Sequence, residues 1–437
     1  MSGESLVLTS EDLDRLERSL RNLSLPASLQ RLVESYIGKK TGKQWDDPVV
    51  LERIRAAIIA QKSHYWKEGT QREIRYQTGY SVLAYLTYQM PVFFAQFQHL
   101  LLSLGRDGLL RENMTILDVG SGPGVVPLAV IDFFRRWGQG ATTIHALETS
   151  DEHREAYQFL VPAFARETPG VRIEPPIVAD LTTYPQDRLP SKIDLLVFSN
   201  VLNEIPGATV DQRAEILHRY ASALSDEGTL VITEPADLAN STALRMVSLA
   251  ATSEGLTLYA PCTFLWRRQC TTDRCWSFID YGKIHPPRTM QALSTGTEGY
   301  RFYNTDVKTS YALLRRDGRT RCPYRVARGA SVLPLSHLSR HIGKVVNVIA
   351  ALMSGDIGDH SYRVFLICDG TAVKPVYAIL PRYQESSTTK HLAGAWYGDV
   401  LEFDEVLVRY NKSHDAFNLL ITGRSRVRPV SPPLEIE

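Results

Sequence analysis

One octapeptide constrains this chain more than any other feature: Leu117-Asp118-Val119-Gly120-Ser121-Gly122-Pro123-Gly124, set between the strand-like run TILDV and the helix-like run VVPLAVIDFFRRW. Glycines at alternate positions let the backbone turn tightly and approach a ligand closely. The helix beyond them offers unsatisfied N–H donors at its start. Strand, turn and helix in that order are the context a nucleotide-type loop requires. The spacing is G-x-G-x-G, whereas a dinucleotide fingerprint reads G-x-G-x-x-G.

Around this loop the pattern is regular. Runs reading as strands (TILDV, TIHALE, IDLLVFS, GTLVITE) alternate with runs reading as helices (EHREAYQFLVPAFA, DQRAEILHRYASAL). Strands spaced by helices of that length imply βαβ units and a parallel sheet, so residues 111–260 are expected to form a doubly wound α/β domain. Residues 1–110 read as helical. The apolar stretch from Tyr80 onward is interrupted by Pro91, which predicts two packed helices meeting there. Residues 261–330 hold a cysteine cluster and a linker. Residues 331–437 carry five strand candidates (KVVNVIAAL, SYRVFLICDG, KPVYAILPRY, GDVLEFDEVLVRY, AFNLLITGRSRV), which suit a small β-barrel of the OB type.

Composition narrows the class. At 44% hydrophobic and 22% charged residues the chain is ordinary globular protein, and no apolar run is long enough to cross a membrane. The N-terminus has neither a signal-peptide core nor an Arg-rich transit pattern, so a soluble, cytoplasmic protein is expected. The net charge of +1 conceals an asymmetry: Arg319 to Arg428 holds 15 Lys/Arg against 9 Asp/Glu. A polyanionic partner should therefore prefer the C-terminal quarter, where Arg382-Tyr383, Lys390-His391, Arg409-Tyr410, Lys412 and Arg424, Arg426 and Arg428 interleave cations with aromatics. The sequence does not set the oligomeric state.

The five cysteines are too few for a disulfide scaffold, yet Cys262, Cys270 and Cys275 fall within 14 residues. Such clusters in polar, irregular sequence hold zinc or an iron–sulfur cluster, and either needs a fourth ligand. Spacing alone chooses neither the metal nor between Cys322 and Cys368.

The glycine loop resembles motif I of the class I S-adenosylmethionine-dependent methyltransferases. That resemblance implies that Asp118, Gly120, Ser121, Gly122 and Gly124 form the cofactor loop, that Glu148 (in HALETS) holds the ribose hydroxyls and that Asp180 (in IVADL) lies beside the adenine. Asn200 and Glu204 (in SNVLNEI) would edge the acceptor side as catalytic residues. A narrower resemblance rests on YSVLAYLTYQMPVFFAQF before the loop, TEPAD after the fifth strand, the cysteines, DVKTSY before LLRR, and WYGD near the end. In this order they are similar to the mitochondrial and prokaryotic small-ribosomal-subunit methyltransferase-like assembly factors. The resemblance implies a [4Fe–4S] cluster on Cys262, Cys270, Cys275 and Cys368, with zinc the alternative, and small-subunit ribosomal RNA as partner for methylation or assembly. A non-catalytic assembly factor and a small-molecule methyltransferase are the competing expectations.

Overall fold

The computed structural model describes residues 5–6, 8–21, 23–65, 79–266, 270, 274–296 and 299–430. They divide into two compact units. The first takes the chain up to Ile232 together with Tyr281–Val307; the second takes Thr233–Asp280 and the chain from Lys308 onward. No helix among the described residues is long and apolar enough to cross a membrane.

The first unit begins with helices α1 (Ser10–Leu20), α2 (Ala27–Thr41) and α3 (Pro48–Tyr65). Thr9 caps α1 by accepting from the Asp12 amide at 3.1 Å, and Glu11 and Asp12 lie in the first turn, where acids suit the helix dipole. The Pro91 region differs from expectation. A helical turn at Ser81–Ala84 runs through a π-helical turn, Tyr85–Gln89, directly into α4 (Met90–Arg106). Pro91 directly follows the π-helical turn, where the Met90 amide reaches back five residues to the Tyr85 carbonyl, and this wider turn carries the helix past the missing proline N–H.

Next come the parallel strands β1 (Asn113–Val119), β2 (Ala141–Leu147), β3 (Val171–Ile173) and β4 (Ile193–Ser199), and then β5 (Leu224–Pro235). Helices α5 (Val125–Trp137), α6 (Asp151–Ala165) and α7 (Val210–Ala221) separate them. The order is β3-β2-β1-β4-β5. Leu117 pairs with His145 on one side and Leu196 on the other, which makes β1 a central strand buried on both faces. The chain thus adopts the doubly wound, Rossmann-like architecture, with the sheet reversing direction beside β1, where such folds open their ligand crevice.

In the second unit, Asp237 caps α8 (Leu238–Ala250), and β6 (Thr257–Ala260) runs antiparallel to β7 (Asp306–Arg315), with Leu313 opposite Ala260. Then β8 (Val345–Leu352), β9 (Tyr362–Cys368), β10 (Val376–Pro381), β11 (Val400–Asn411) and β12 (Ala416–Leu420) pair in the order β8-β9-β10-β12-β11. β11 returns to β8 and closes a five-stranded barrel, to which β13 (Arg426–Pro429) adds an edge. The pair β10–β12 is parallel, while β8–β9, β9–β10, β11–β12 and β8–β11 are antiparallel. Closure needs a local kink, and the pairing of β8 with β11 supplies it. The register slips between Val346 and Val348, and opposite this slip Glu405 takes a φ of 53° with its amide held by Asn347 at 2.9 Å. Phe403, Val348, Leu380 and Leu419 fill the interior. This is the OB-type barrel that the strand candidates predicted.

Candidate functional site

At the C-terminal ends of β1, β2 and β4 the first unit opens a cleft of about 300 Å³. Gly120, Gly122, Glu148, Asp180, Asn200 and Glu204 all face it. The loop is folded onto β2: the Gly120 and Ser121 amides both donate to the Leu147 carbonyl, at 2.8 and 3.0 Å. Gly120 has a φ of 71°, and a Cβ there would collide with the side chain of Val201. Gly124 has a φ of 92°, and its Cβ would strike Val161 and come within 2.9 Å of the Tyr157 ring. The first glycine therefore clears the cleft and the third lets α6 pack close, the two separate reasons such loops need glycine.

Glu148 is 8% exposed and accepts at both oxygens, from the Gly122 amide at 2.8 Å and the Ser150 amide at 2.7 Å. Burial raises its pKa above the ordinary carboxylate range, while those amides pull the other way. Asp118 is fully buried beneath the loop and does not reach the cleft wall, and neither do Ser121 and Gly124. Burial, and then the charge of Glu148, pushes the Asp118 carboxyl well up. Asp180 holds its own turn, accepting from the Thr182 amide at 2.7 Å and hydroxyl at 2.6 Å. Asn200 adopts a left-handed φ of 54°, and its Oδ1 is buried with no hydrogen-bond partner. A non-glycine residue held there, with an amide oxygen waiting for a donor, is the strain that functional sites carry.

Two further residues line the cleft without a sequence signature. Tyr85 comes from the π-helical turn, and its ring lies 5.6 Å from that of His153 on α6. Burial lowers the His153 pKa to about 4, so its imidazole stays neutral near pH 7. Asp194 is structural, accepting from the Thr115 amide at 2.9 Å and the Ser225 hydroxyl at 3.0 Å.

The second unit brings Cys262, Cys270, Cys275 and Cys368 to one small pocket. No disulfide joins any of the five cysteines. Each of the four is close enough to another to feel its charge: Cys262 and Cys270, Cys275 with both, and Cys368 with Cys270 and Cys275. Cys322 does not line that pocket: it is buried in an apolar cluster with Leu265, Val326 and Met353, against which Cys262 and Cys368 also pack. Among the described residues no group of three or more His, Cys, Asp or Glu side chains is arranged to hold a metal ion. Four thiols line the pocket, which is the number of cysteines a cubane cluster takes.

On the barrel, Ile357–Asp359, Tyr362, Tyr383 and Gln384 line a cleft of about 630 Å³ at the β9–β10 face and the loop before β9. Tyr383 is 82% exposed. Several cations of the basic stretch are already paired: Arg382 with Asp356 and Glu385, Arg428 with Glu402 and Asp404, and Lys374 with Asp415. Tyr410 bonds Asp415 through its hydroxyl. Lys390, Arg409, Lys412, Arg424 and Arg426 are exposed.

A family described as "Domain of unknown function (DUF8157) C-terminal domain" matches residues 336–430, the barrel. No curated protein matches the sequence. Among solved structures, the chain is similar to a Methanococcus maripaludis protein described as an S-adenosyl-L-methionine-dependent methyltransferase, at 18% identity and a TM-score of 0.26. That match covers 37% of this chain and 65% of the other, just under two thirds of its length. Magnesium protoporphyrin IX methyltransferase from Synechocystis PCC 6803 with bound SAH matches at 10% identity and a TM-score of 0.31, covering 62% of this chain and 99% of that one. An S-adenosylmethionine-dependent methyltransferase from Clostridium acetobutylicum matches at 10% identity and a TM-score of 0.30, over 52% and 91% of the two chains.

Proposed function

We propose that this chain is an S-adenosylmethionine-dependent methyltransferase, that its partner is RNA of the small ribosomal subunit, and that it carries a [4Fe–4S] cluster on Cys262, Cys270, Cys275 and Cys368. The observation that carries the first part is Glu148: a buried strand-end carboxylate, facing a cleft and oriented by a glycine-loop amide. A carboxylate has about four acceptor sites, and two remain here for a pair of ribose hydroxyls. Gly120 and Gly122 line the same cleft and would leave room for the amino-acid end, and Asp180, also at the cleft, would lie beside the adenine. Bound S-adenosylmethionine supplies an electrophilic methyl group. Asn200, whose Oδ1 has no partner at the cleft, would accept from an incoming acceptor group, and the Glu204 carboxylate would take its proton.

Support for the RNA partner is the OB topology, whose second and third strands commonly present the binding face, together with exposed Tyr383 on that side. Support for the cluster is the convergence of four thiols and the exclusion of Cys322 from their pocket. The resemblance of the sequence motifs to those of small-subunit assembly factors is what connects the two.

Gly120→Arg tests the cofactor site. The Cβ collides with Val201 and the side chain fills the cleft, so calorimetry should show S-adenosylmethionine affinity reduced by more than ~100-fold, about 2.7 kcal/mol. Unchanged affinity would remove the assignment. Radiolabelled cofactor given to the intact chain with small subunits then separates an enzyme, which labels RNA, from a factor that binds the subunit without labelling it.

A further inference from the structure

The thiol pocket is lined by a buried cation that no acid among the described residues is seen to balance. Arg245, on α8, is 2% exposed and lines the pocket beside Cys262, Cys270 and Cys275. One guanidinium nitrogen donates to the Tyr311 carbonyl at 2.8 Å and another to the Tyr397 hydroxyl at 2.8 Å, while Nε is buried with no partner. The groups whose charge it feels are Tyr397, Cys262, Cys275 and Tyr311, and none is a carboxylate. Its charge in turn favours the thiolate form of Cys262. Burying an unpaired guanidinium is costly, and native proteins do so where an opposite charge faces it.

The scaffold around Arg245 is built to hold it still. The Tyr397 hydroxyl is 2.5 Å from that of Ser277, Ser310 bonds both the Ser241 hydroxyl (2.8 Å) and the Ser277 carbonyl, and the Tyr311 and Tyr397 rings meet edge to face at 5.1 Å. Tyr311 and Ser310 belong to the DVKTSY run and Tyr397 to WYGD, two motifs that neither the cofactor cleft nor the barrel face uses. The other charged groups at the pocket are otherwise engaged or exposed. Asp369 accepts from the Leu335 amide, the Trp266 ring N–H and the Thr371 amide; Lys374 pairs with Asp415; Arg274 is exposed.

We infer that Arg245 is the built-in counter-charge of an anionic, thiolate-bound cluster in this pocket, and that it sets the electron affinity of that cluster. The inference rests on the cluster reading above. Four thiolates make a cubane net negative, and a fixed cation beside the sulfurs favours the reduced, more negative state. Removing that charge should make reduction harder.

The test uses the full chain purified without oxygen, with iron and sulfide analysis and a reduction titration followed by visible and electron paramagnetic resonance spectra. Arg245→Gln removes the charge yet can still donate to the Tyr311 carbonyl. It should bind iron and sulfide and shift the reduction equilibrium at least tenfold towards the oxidised state, ~59 mV for a one-electron couple. Arg245→Lys keeps the charge and should stay near the unsubstituted protein. Loss of iron in the Gln variant with retention in the Lys variant would also support the counter-charge. A Gln variant loaded like the parent and titrating at the parent's potential would overturn it, as would failure of both variants to load, which would make Arg245 a structural strut. Absence of iron and sulfide from the parent chain is a different result: it defeats the cluster reading itself before any variant is made.

Discussion

Glu148 commits both carboxylate oxygens to amides at the cleft, Gly122 N and Ser150 N, and burial still holds its pKa above the ordinary value. The ionised form is the one that accepts strongly from ribose hydroxyls. S-adenosylmethionine affinity should therefore be full at neutral pH and decline as pH falls through that raised pKa, starting above the usual ~4.3 of a glutamate. His153, its pKa lowered to about 4 by burial, is almost wholly neutral from pH 5 upward and adds little to the slope. Calorimetry between pH 5 and 8 checks this. Glu148→Gln should weaken binding ~10–100-fold at pH 7, as loss of a charge-assisted hydrogen bond does, and should flatten the pH profile. Asp118→Asn serves as the control: its carboxyl is buried beneath the loop, and the profile should persist. Glu148 is legible in the sequence because it directly follows β2, and a strand end fixes where a side chain points; Asp180 instead faces the cleft from a loop seven residues beyond β3. Tyr85 and His153 are not legible, because they reach the cleft from helices whose pattern reads only as core.

Strands of the barrel announce themselves by alternation; β10, for example, alternates buried and half-buried positions along its whole length. The helix across Pro91 did not, since a proline in sequence reads as a break and only the π turn before it shows why the helix survives. The cysteines lie between these cases. Spacing could not choose a fourth ligand, because Cys322 and Cys368 are both distant in the chain and only β9 carries Cys368 to the other three. Serine substitution separates them. Cys368→Ser should strip bound metal from anaerobically purified protein. Cys322→Ser should leave metal content unchanged and instead lower stability by ~1–3 kcal/mol, the cost of moving a hydroxyl into apolar surroundings. Denaturant melts and elemental analysis read both effects. Equal metal loss in the two variants would mean that the ligand set is wrong.

Counted along the chain, the 15 cations between Arg319 and Arg428 suggest a strongly basic module. The folded chain reduces that number, because Arg363, Arg382, Lys374 and Arg428 each face a carboxylate of the same unit. Charge counted in sequence overstates the field because it ignores which acids the fold places beside which bases. Lys390, Arg409, Lys412, Arg424 and Arg426 remain exposed for phosphates, as do Arg319, Arg328, Arg340 and Lys344 nearer the start of the stretch. If about four of these meet single-stranded RNA, log affinity should fall against log salt with a slope near −3, at ~0.7 per phosphate contact, far shallower than 15 cations would give. Filter binding of small-subunit RNA to the intact protein from 50 to 300 mM salt, on the order of the range where such slopes are read, measures it. Arg424→Ala and Arg426→Ala should each flatten the slope by ~0.7. Tyr383→Ala should behave differently. Its 82% exposed ring offers a stacking surface, so its loss should cost ~1–3 kcal/mol at every salt concentration and leave the slope unchanged, since stacking releases no counterions. A parallel drop for Tyr383→Ala beside a shallower line for the arginine variants would identify the barrel as an RNA-binding module that combines stacking with a few phosphate contacts. Salt-independent failure to retain RNA in the unsubstituted protein would instead leave the barrel structural and direct the search for an acceptor to small molecules.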